Sequence, residues 1–311
     1  MMKIVSTALG GQLRTLDAIE EGCWIHLCNP TEYELNVVEE ETEIEDDLLR
    51  AALDDNETPR TESYDESTLV LVDIPVVKPE GDSFIYSTVP LGIIVGENHI
   101  VTVTTEENTL LDSFWEGKYG RFETHKKMRF TLQILNRNSS RFLSYLRQIE
   151  KQISQIESVV VKAMNNRELL QMLNTSKSLT YFSASLKSNE IVLEKLMKGS
   201  TVRRYQEDTE LLEDIIIDNR QAIEMCSIYK EISNGMADAF ASIIGNNQQV
   251  AMKLQAALSI LMAIPTIISG FWGMNLPVPW ETSGTAFYLI IGISAVATLV
   301  TAFFLWRKKL F

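Results

Sequence analysis

The 311-residue sequence is short of positive charge: 28 Lys and Arg stand against 42 Asp and Glu, a formal charge of −14. That argues against nucleic acid as a partner, because neutralising phosphates takes clustered Lys and Arg. The acidity suits a protein that handles cations, although a merely solvated surface gives the same balance. Cysteine is scarce as well. Cys23, Cys28 and Cys226 form no even disulfide set, which points to a reducing compartment. Cys23, His26 and Cys28 do not read as a zinc site, since on a strand His26 and Cys28 face one side and Cys23 the other. No phosphate loop, nucleophile elbow or nucleotide fingerprint is present, so the expectation is that the chain is not an enzyme. The start, Met1 to Ser6, lacks the apolar run of a signal peptide, so the N-terminal body is expected in the cytoplasm. Charge itself is missing from one stretch. Residues 254–306 hold a single carboxylate, Glu281, and no Lys or Arg.

Within that stretch, Ala256 to Met274 is a run of about 19 uncharged residues and Thr285 to Trp306 one of about 22, each enough to cross a hydrocarbon core of roughly 30 Å. The loop between them is too short for a domain and carries Pro277, Pro279 and Trp280. Lys253 precedes the first run, and Arg307, Lys308 and Lys309 follow the second, whereas the loop has no base. Positive residues stay inside. Both termini are therefore expected in the cytoplasm and the loop outside. The chain divides into an α/β domain (1–124), a long-helix or stalk region (125–253), a first transmembrane helix (254–275), an outer loop (276–284), a second transmembrane helix (285–306) and a basic tail (307–311).

The soluble part reads as mixed. Gly22–Leu27, Thr68–Val77, Phe84–Val95 and His99–Thr104 are strand-like, with Lys78–Asp82 a turn, and Thr31–Asp54 holds two short acidic helical patterns. From Asn108 the pattern is helical. Phe130–Ala163 has apolar residues at three and four spacing, a turn falls at Asn165-Asn166, and a second helix runs to Lys198. Gly199 is placed for a C-cap and Ser200 or Thr201 for the next N-cap. No proline then appears until Pro265, so one helix of about 70 residues, roughly 100 Å, is expected to run through the first span.

Counting alternately four and three from Asp238 picks out Ser242, Gly245, Gln249, Met252, Ala256, Ser259, Ala263, Thr266, Gly270 and Gly273. A sustained seven-residue repeat keeps one face turned inward in a helical assembly. A coiled-coil seam would put Leu and Ile there. This face is small or polar, which suits either a water-filled pore made by several copies or close packing through small residues.

The first span ends Gly270-Phe271-Trp272-Gly273-Met274-Asn275. This resembles the Gly-Met-Asn signature of the CorA family of magnesium channels at its usual place. Trp24–Pro30 is similar to the family's first strand, and Glu213–Asp218 to part of its stalk. The resemblance implies an α+β membrane protein: a cytoplasmic α/β domain and a helical stalk continuing into the first of two C-terminal spans, assembled as a homopentameric funnel in a prokaryotic plasma membrane. It implies Mg²⁺ as cargo and regulator, with Co²⁺ or Ni²⁺ as further cargo, and a selectivity loop at Gly273, Met274 and Asn275. The pore is expected to be lined by Asp238, Gln249, Met252, Ala256, Ser259, Ala263, Thr266 and Gly270. Asp214 and Asp218 match the stalk side of the family's cytoplasmic Mg²⁺ sensor, and Glu80 or Asp82 is the expected partner side. Gln255 stands where the family often has leucine, Gln249 where asparagine is expected, and Trp272 where tyrosine is usual. A proton-coupled zinc transporter of the same fold and a non-transporting membrane scaffold are the alternatives.

Overall fold

Seven strands form one mixed sheet in the computed structural model: β1 (Met2–Thr7), β2 (Leu13–Thr15), β3 (Trp24–Cys28), β4 (Arg60–Tyr64), β5 (Ser67–Glu80), β6 (Ser83–Val95) and β7 (Ile100–Thr104). Their order is β2-β1-β3-β7-β6-β5-β4. Only β3 and β7 pair in parallel. The structure describes residues 1–7, 13–64, 67–81, 83–117, 120–160, 166–199, 202, 205–274 and 284–308. Strands β1, β2 and β4 are additions to the sequence reading. β2 and β4 are edges, and their polar sequences leave no apolar run to detect. The expected Lys78–Asp82 turn is shorter than read, because pairing continues to Glu80 opposite Ser83. Gly81 takes the positive φ of 59° that so tight a reversal requires.

Side chains of β3 alternate between two cores. Ile25 and Leu27 pack with Leu35 and Val38 of α1 (Glu32–Thr42) and with Leu48 and Leu49 of α2 (Asp46–Arg50). On the other face, Trp24 packs with Val72 and Leu91 of the sheet, with Phe114 of α3 (Thr109–Trp115) and with Phe130 of α4 (Lys127–Val160). The Trp24 indole stacks on Trp115 at 3.9 Å and donates to Thr102 Oγ1 at 2.8 Å. His26 Nδ1 lies 3.0 Å from the same hydroxyl. This histidine is a core residue, as are the three buried cysteines.

One edge of β5 is completed from the helix layer. Pairing with β4 stops at Arg60 opposite Leu71, so Asp73, two residues further on and facing the same side, has no strand neighbour there. Asn189 of α5 (Asn166–Lys198) takes the neighbour's place. Its Oδ1 accepts from the Asp73 N–H at 2.9 Å and its Nδ2 donates to the Asp73 carbonyl at 2.8 Å. Asn138 of α4 donates to the same carbonyl at 2.9 Å. Burial raises the Asp73 carboxyl above the usual carboxylate range, with Ser185 opposing.

The third long helix, α6 (Gln206–Trp272), begins at Gln206; Ser200 and Thr201, the expected N-caps, lie outside the described residues. Between Leu212 and Met236 its buried positions are Leu212, Ile215, Asn219, Ala222, Cys226 and Ser233, with Tyr229 and Met236 partly covered. These fall on one seven-residue repeat, the signature of a supercoiled seam against neighbouring helices. Asn219 Nδ2 donates to the Leu186 carbonyl at 3.0 Å, and Cys226 Sγ to that of Leu179 at 3.1 Å, both on α5. Arg220 bonds Glu190 and Glu194 at 2.7 and 2.8 Å. The chain separates into two compact units, Met1–Met236 and Ala237–Phe311. The second holds the rest of α6 together with α7 (Ala286–Arg307).

Two predictions follow from these contacts. Asn189→Ala orphans the Asp73 N–H and removes one of two donors to its carbonyl, so it is expected to cost about 2–4 kcal/mol. Denaturant unfolding of the full chain in detergent measures this, and a loss below about 0.5 kcal/mol would contradict the bracing role. The second concerns acid. Burial, followed by the Lys3 charge, lowers the His26 pKa to about 4 from an ordinary value of 6.5. The folded state thus resists a proton that the unfolded chain accepts below pH 6.5. Stability from the neutral ring is complete above pH 6.5 and drains as pH falls toward 4, by about 3 kcal/mol. Melting temperatures of His26→Gln should fall less steeply across that window; parallel slopes in both proteins would exclude the assignment.

Candidate functional site

Among the described residues, α6 and α7 are the two helices long and apolar enough to cross a membrane, and only 6% of the apolar window in each is buried. A soluble core helix would be mostly covered. The covered residues form facing stripes: Ala257, Leu261, Ile264 and Ile268 on α6, and Ile290, Ser294, Thr298 and Leu305 on α7. A cleft bounded by Pro265, Ser269, Ile290, Ser294 and Thr298 separates them locally. Pro265 has no N–H, so the Leu261 carbonyl loses its ordinary helical donor.

The small and polar face of α6 points elsewhere. At roughly 100° per residue, Ala256, Ser259, Ala263, Thr266 and Gly270 centre about 150° round the helix from the stripe that meets α7. Thr266 alone of these five reaches the cleft. Asp238, Ser242, Gln249, Met252 and Gly273 are exposed along the same line, and Gly245 is half-buried. The hydroxyls are satisfied within the helix: Ser242 donates to the Asp238 carbonyl at 3.0 Å, Ser259 to that of Gln255 at 2.9 Å and Thr266 to that of Met262 at 2.9 Å.

Glycine on this line has no reason inside the chain. A Cβ built at Gly245 or Gly270 meets nothing within 4 Å. Packing against α7 therefore does not explain them. Gly273 differs, because a Cβ there would stand 3.3 Å from the Ser269 carbonyl while its N–H still donates to that oxygen at 2.9 Å. It closes the helix just before Met274, which is exposed. Asn275, the third signature residue, lies outside the described residues, as do 276–283 of the outer loop.

The expected sensor residues are not gathered within one chain. Asp214 is exposed and Asp218 half-buried one turn later on α6. Burial raises the Asp218 carboxyl first, the Asp214 charge adds to this, and Arg147 of α4 opposes it. Glu80, at the end of β5, lies 4.0 Å from Lys177 of α5. Asp82 lies outside the described residues. Among the described residues, no three His, Cys, Asp or Glu side chains are grouped to hold a metal ion. Arg147 and Lys177 are charges that sequence reasoning missed, since nothing local marks a base on one helix as the neighbour of an acid on another element.

Three comparisons bear on this arrangement. The family described as "CorA-like Mg2+ transporter protein" matches residues 20–309. The "Cobalt/magnesium transport protein CorA" of Methanocaldococcus jannaschii is 24% identical over 295 residues, 92% of this chain and 90% of that one. The complete structure of the CorA magnesium transporter from the same organism superposes with a TM-score of 0.81 at 24% identity, covering 99% of this chain and 98% of that chain. The cytoplasmic domain of ZntB from Vibrio parahaemolyticus shares the soluble fold at a TM-score of 0.61 and 11% identity, over 79% of this chain and 97% of that one.

One prediction concerns the Asp214–Asp218 pair. If Mg²⁺ bridges it to a neighbouring copy, Asp214→Ala plus Asp218→Ala should abolish Mg²⁺-dependent protection of the soluble region from proteolysis. An unchanged Mg²⁺ concentration for half-protection would remove both residues from the sensor.

Proposed function

The chain belongs to the CorA-like Mg²⁺ transporter family, and from that premise we propose that several copies, five by resemblance, form a membrane channel that admits hydrated Mg²⁺ to the cytoplasm. The observation that carries this reading is the exposed small and polar face of α6, turned away from α7, where a Cβ at Gly245 or Gly270 would meet nothing within 4 Å. Copies arranged around an axis give that face water and room. They also relieve the cost of polar groups in hydrocarbon.

Mg²⁺ is small and sheds water reluctantly, so a site that hydrogen-bonds its hydration shell is easier to build than one that strips it. The Asn275 amide and the carbonyls of Gly273 and Met274 supply neutral oxygens for that shell at the outer mouth. A carboxylate ring there would hold a divalent ion too long for conduction. Met252 is the bulky apolar member of the pathway, and Gln255 adjoins it where a leucine would give a tighter constriction. Co²⁺ and Ni²⁺ are further cargo on this reading.

Gating follows from the driving force. A divalent ion entering an interior-negative cell gains about 4.6 kcal/mol per 100 mV, enough for accumulation on the order of 10³-fold. The pore must close when internal Mg²⁺ suffices. In this reading the Asp214–Asp218 pair of one copy and Glu80 or Asp82 of its neighbour share Mg²⁺ in the closed state, in a plasma membrane with both termini inside.

Flux into liposomes tests the proposal. Mg²⁺ uptake should follow an imposed negative potential, and Asn275→Ala should reduce it by at least about tenfold, roughly 1.4 kcal/mol, with the assembly intact by gel filtration. Uptake of Zn²⁺ driven by a pH gradient, without Mg²⁺ uptake, would replace this reading with zinc transport. No flux of any divalent ion would leave a scaffold.

A further inference from the structure

With 42 Asp and Glu to 28 Lys and Arg, an arginine in this chain should find a carboxylate easily. Arg50, Arg60, Arg129 and Arg220 each do. Two arginines on α4 do not. Arg137 and Arg141 stand one turn apart and are partly buried, and neither makes an ion pair among the described residues. The Nε of each is closed off from water and has no hydrogen-bond partner. A guanidinium carries five donors in a rigid fork and keeps its proton, so its enclosed N–H groups call for an acceptor at any pH.

Other unmatched groups surround the pair. Residues four apart share a helix face, and Arg141 reaches α3, where its Nη2 donates to the Thr109 hydroxyl. The Tyr145 ring, one turn further on, lies 5.4 Å from the same guanidinium. Next to Thr109, Asn108 is only 8% exposed. Its Oδ1 accepts from the Leu111 N–H at 3.0 Å, but its buried Nδ2 has no acceptor. Gln133, one turn before Arg137, has the opposite lack. Its Nε2 donates to the Arg121 carbonyl at 3.4 Å, which leaves a buried Oε1 without a donor. Burial raises the carboxyl of Asp112 on α3, against the pull of Lys3 and, more weakly, of Arg141. Asp112 makes no ion pair with Arg141 among the described residues, so the Arg141 charge stays uncompensated.

Water satisfies a stray donor, but it does not neutralise two enclosed guanidinium charges one turn apart. The missing partner is anionic, rich in acceptor oxygens and able to give one proton to Gln133. Hydrogen phosphate meets all three conditions. Sulfate at neutral pH has no O–H to give.

We propose that the flank of α4 facing α3 binds a protonated phosphate group between Arg137 and Arg141, with Asn108 Nδ2 as a further donor and Gln133 Oε1 as acceptor. None of these residues is assigned to conduction, so the inference stands apart from the channel reading.

Calorimetric titration of the full chain in detergent, free of divalent metal and at constant ionic strength, tests this. Inorganic phosphate should bind at one site per chain and raise the melting temperature by mass action. Sulfate, lacking one hydrogen bond, should bind about tenfold more weakly. Arg137→Gln and Arg141→Gln should each weaken phosphate binding on the order of tenfold or more. Arg137→Lys and Arg141→Lys keep the charge and lose the fork. They should melt like the parent without phosphate and still bind it more weakly, which separates lost recognition from lost folding. Glycerol phosphate identifies the source: tighter binding than inorganic phosphate marks a phosphomonoester, weaker binding the free ion. Absence of both heat and melting shift with phosphate overturns the proposal. So does sulfate binding as tight as phosphate, or parental affinity in both lysine variants.

Discussion

A helix whose buried residues recur every seven positions shows one fixed face to its neighbours, and the face opposite is fixed with it. In α6 the seam from Leu212 through Cys226 to Ser233 does this against α4 and α5. Polar contacts pin its register. The Asn219 amide and the Cys226 thiol each donate to an α5 carbonyl, and Arg220 clasps two α5 glutamates. A slip of one residue would bury Arg220 in place of Asn219 and expose Ile215. The outward line through Asp214 and Asp238 therefore follows from the packing of the seam, and α6 carries the same count unbroken to Trp272.

The α/β unit supplies a stiff support for those helices. Its sheet is braced by helix side chains where strand pairing stops, and Asn189 beyond the end of β4 is the clearest case. That residue lies on the helix whose other positions meet α6, so one α5 face completes the sheet while its carbonyls and glutamates hold α6. The Trp24 cluster does similar work at the other end of the sheet, stacking β3 against α3 and α4. A burial-depressed histidine in that cluster ties the stability of the domain to pH.

The spans and the first unit follow different rules for what an exposed residue means. In the first unit an exposed isoleucine such as Ile228 asks for an explanation, because water surrounds it. In the spans exposure toward lipid is ordinary, and it is the small or polar position that asks for one. Glycine makes the point most sharply, since Gly245 and Gly270 have open space where a side chain could stand.

The sequence by itself determined the two spans, the long helix through the first of them, the helical hairpin that precedes it and the line from Asp238 to Gly273, because each rests on a local period or an uninterrupted apolar run. The central strands were legible for the same reason, while β2 and β4 were not, since edge strands share their polarity with loops. What the tertiary structure alone decided was direction. The seam showed which side of α6 is covered; the hairpin showed that the small stripe turns away from α7. Lys177 beside Glu80 and Arg147 beside Asp218 are likewise products of folding. Periodicity along one helix gives relative angles only, and an angle acquires an inside and an outside when a second element packs against it.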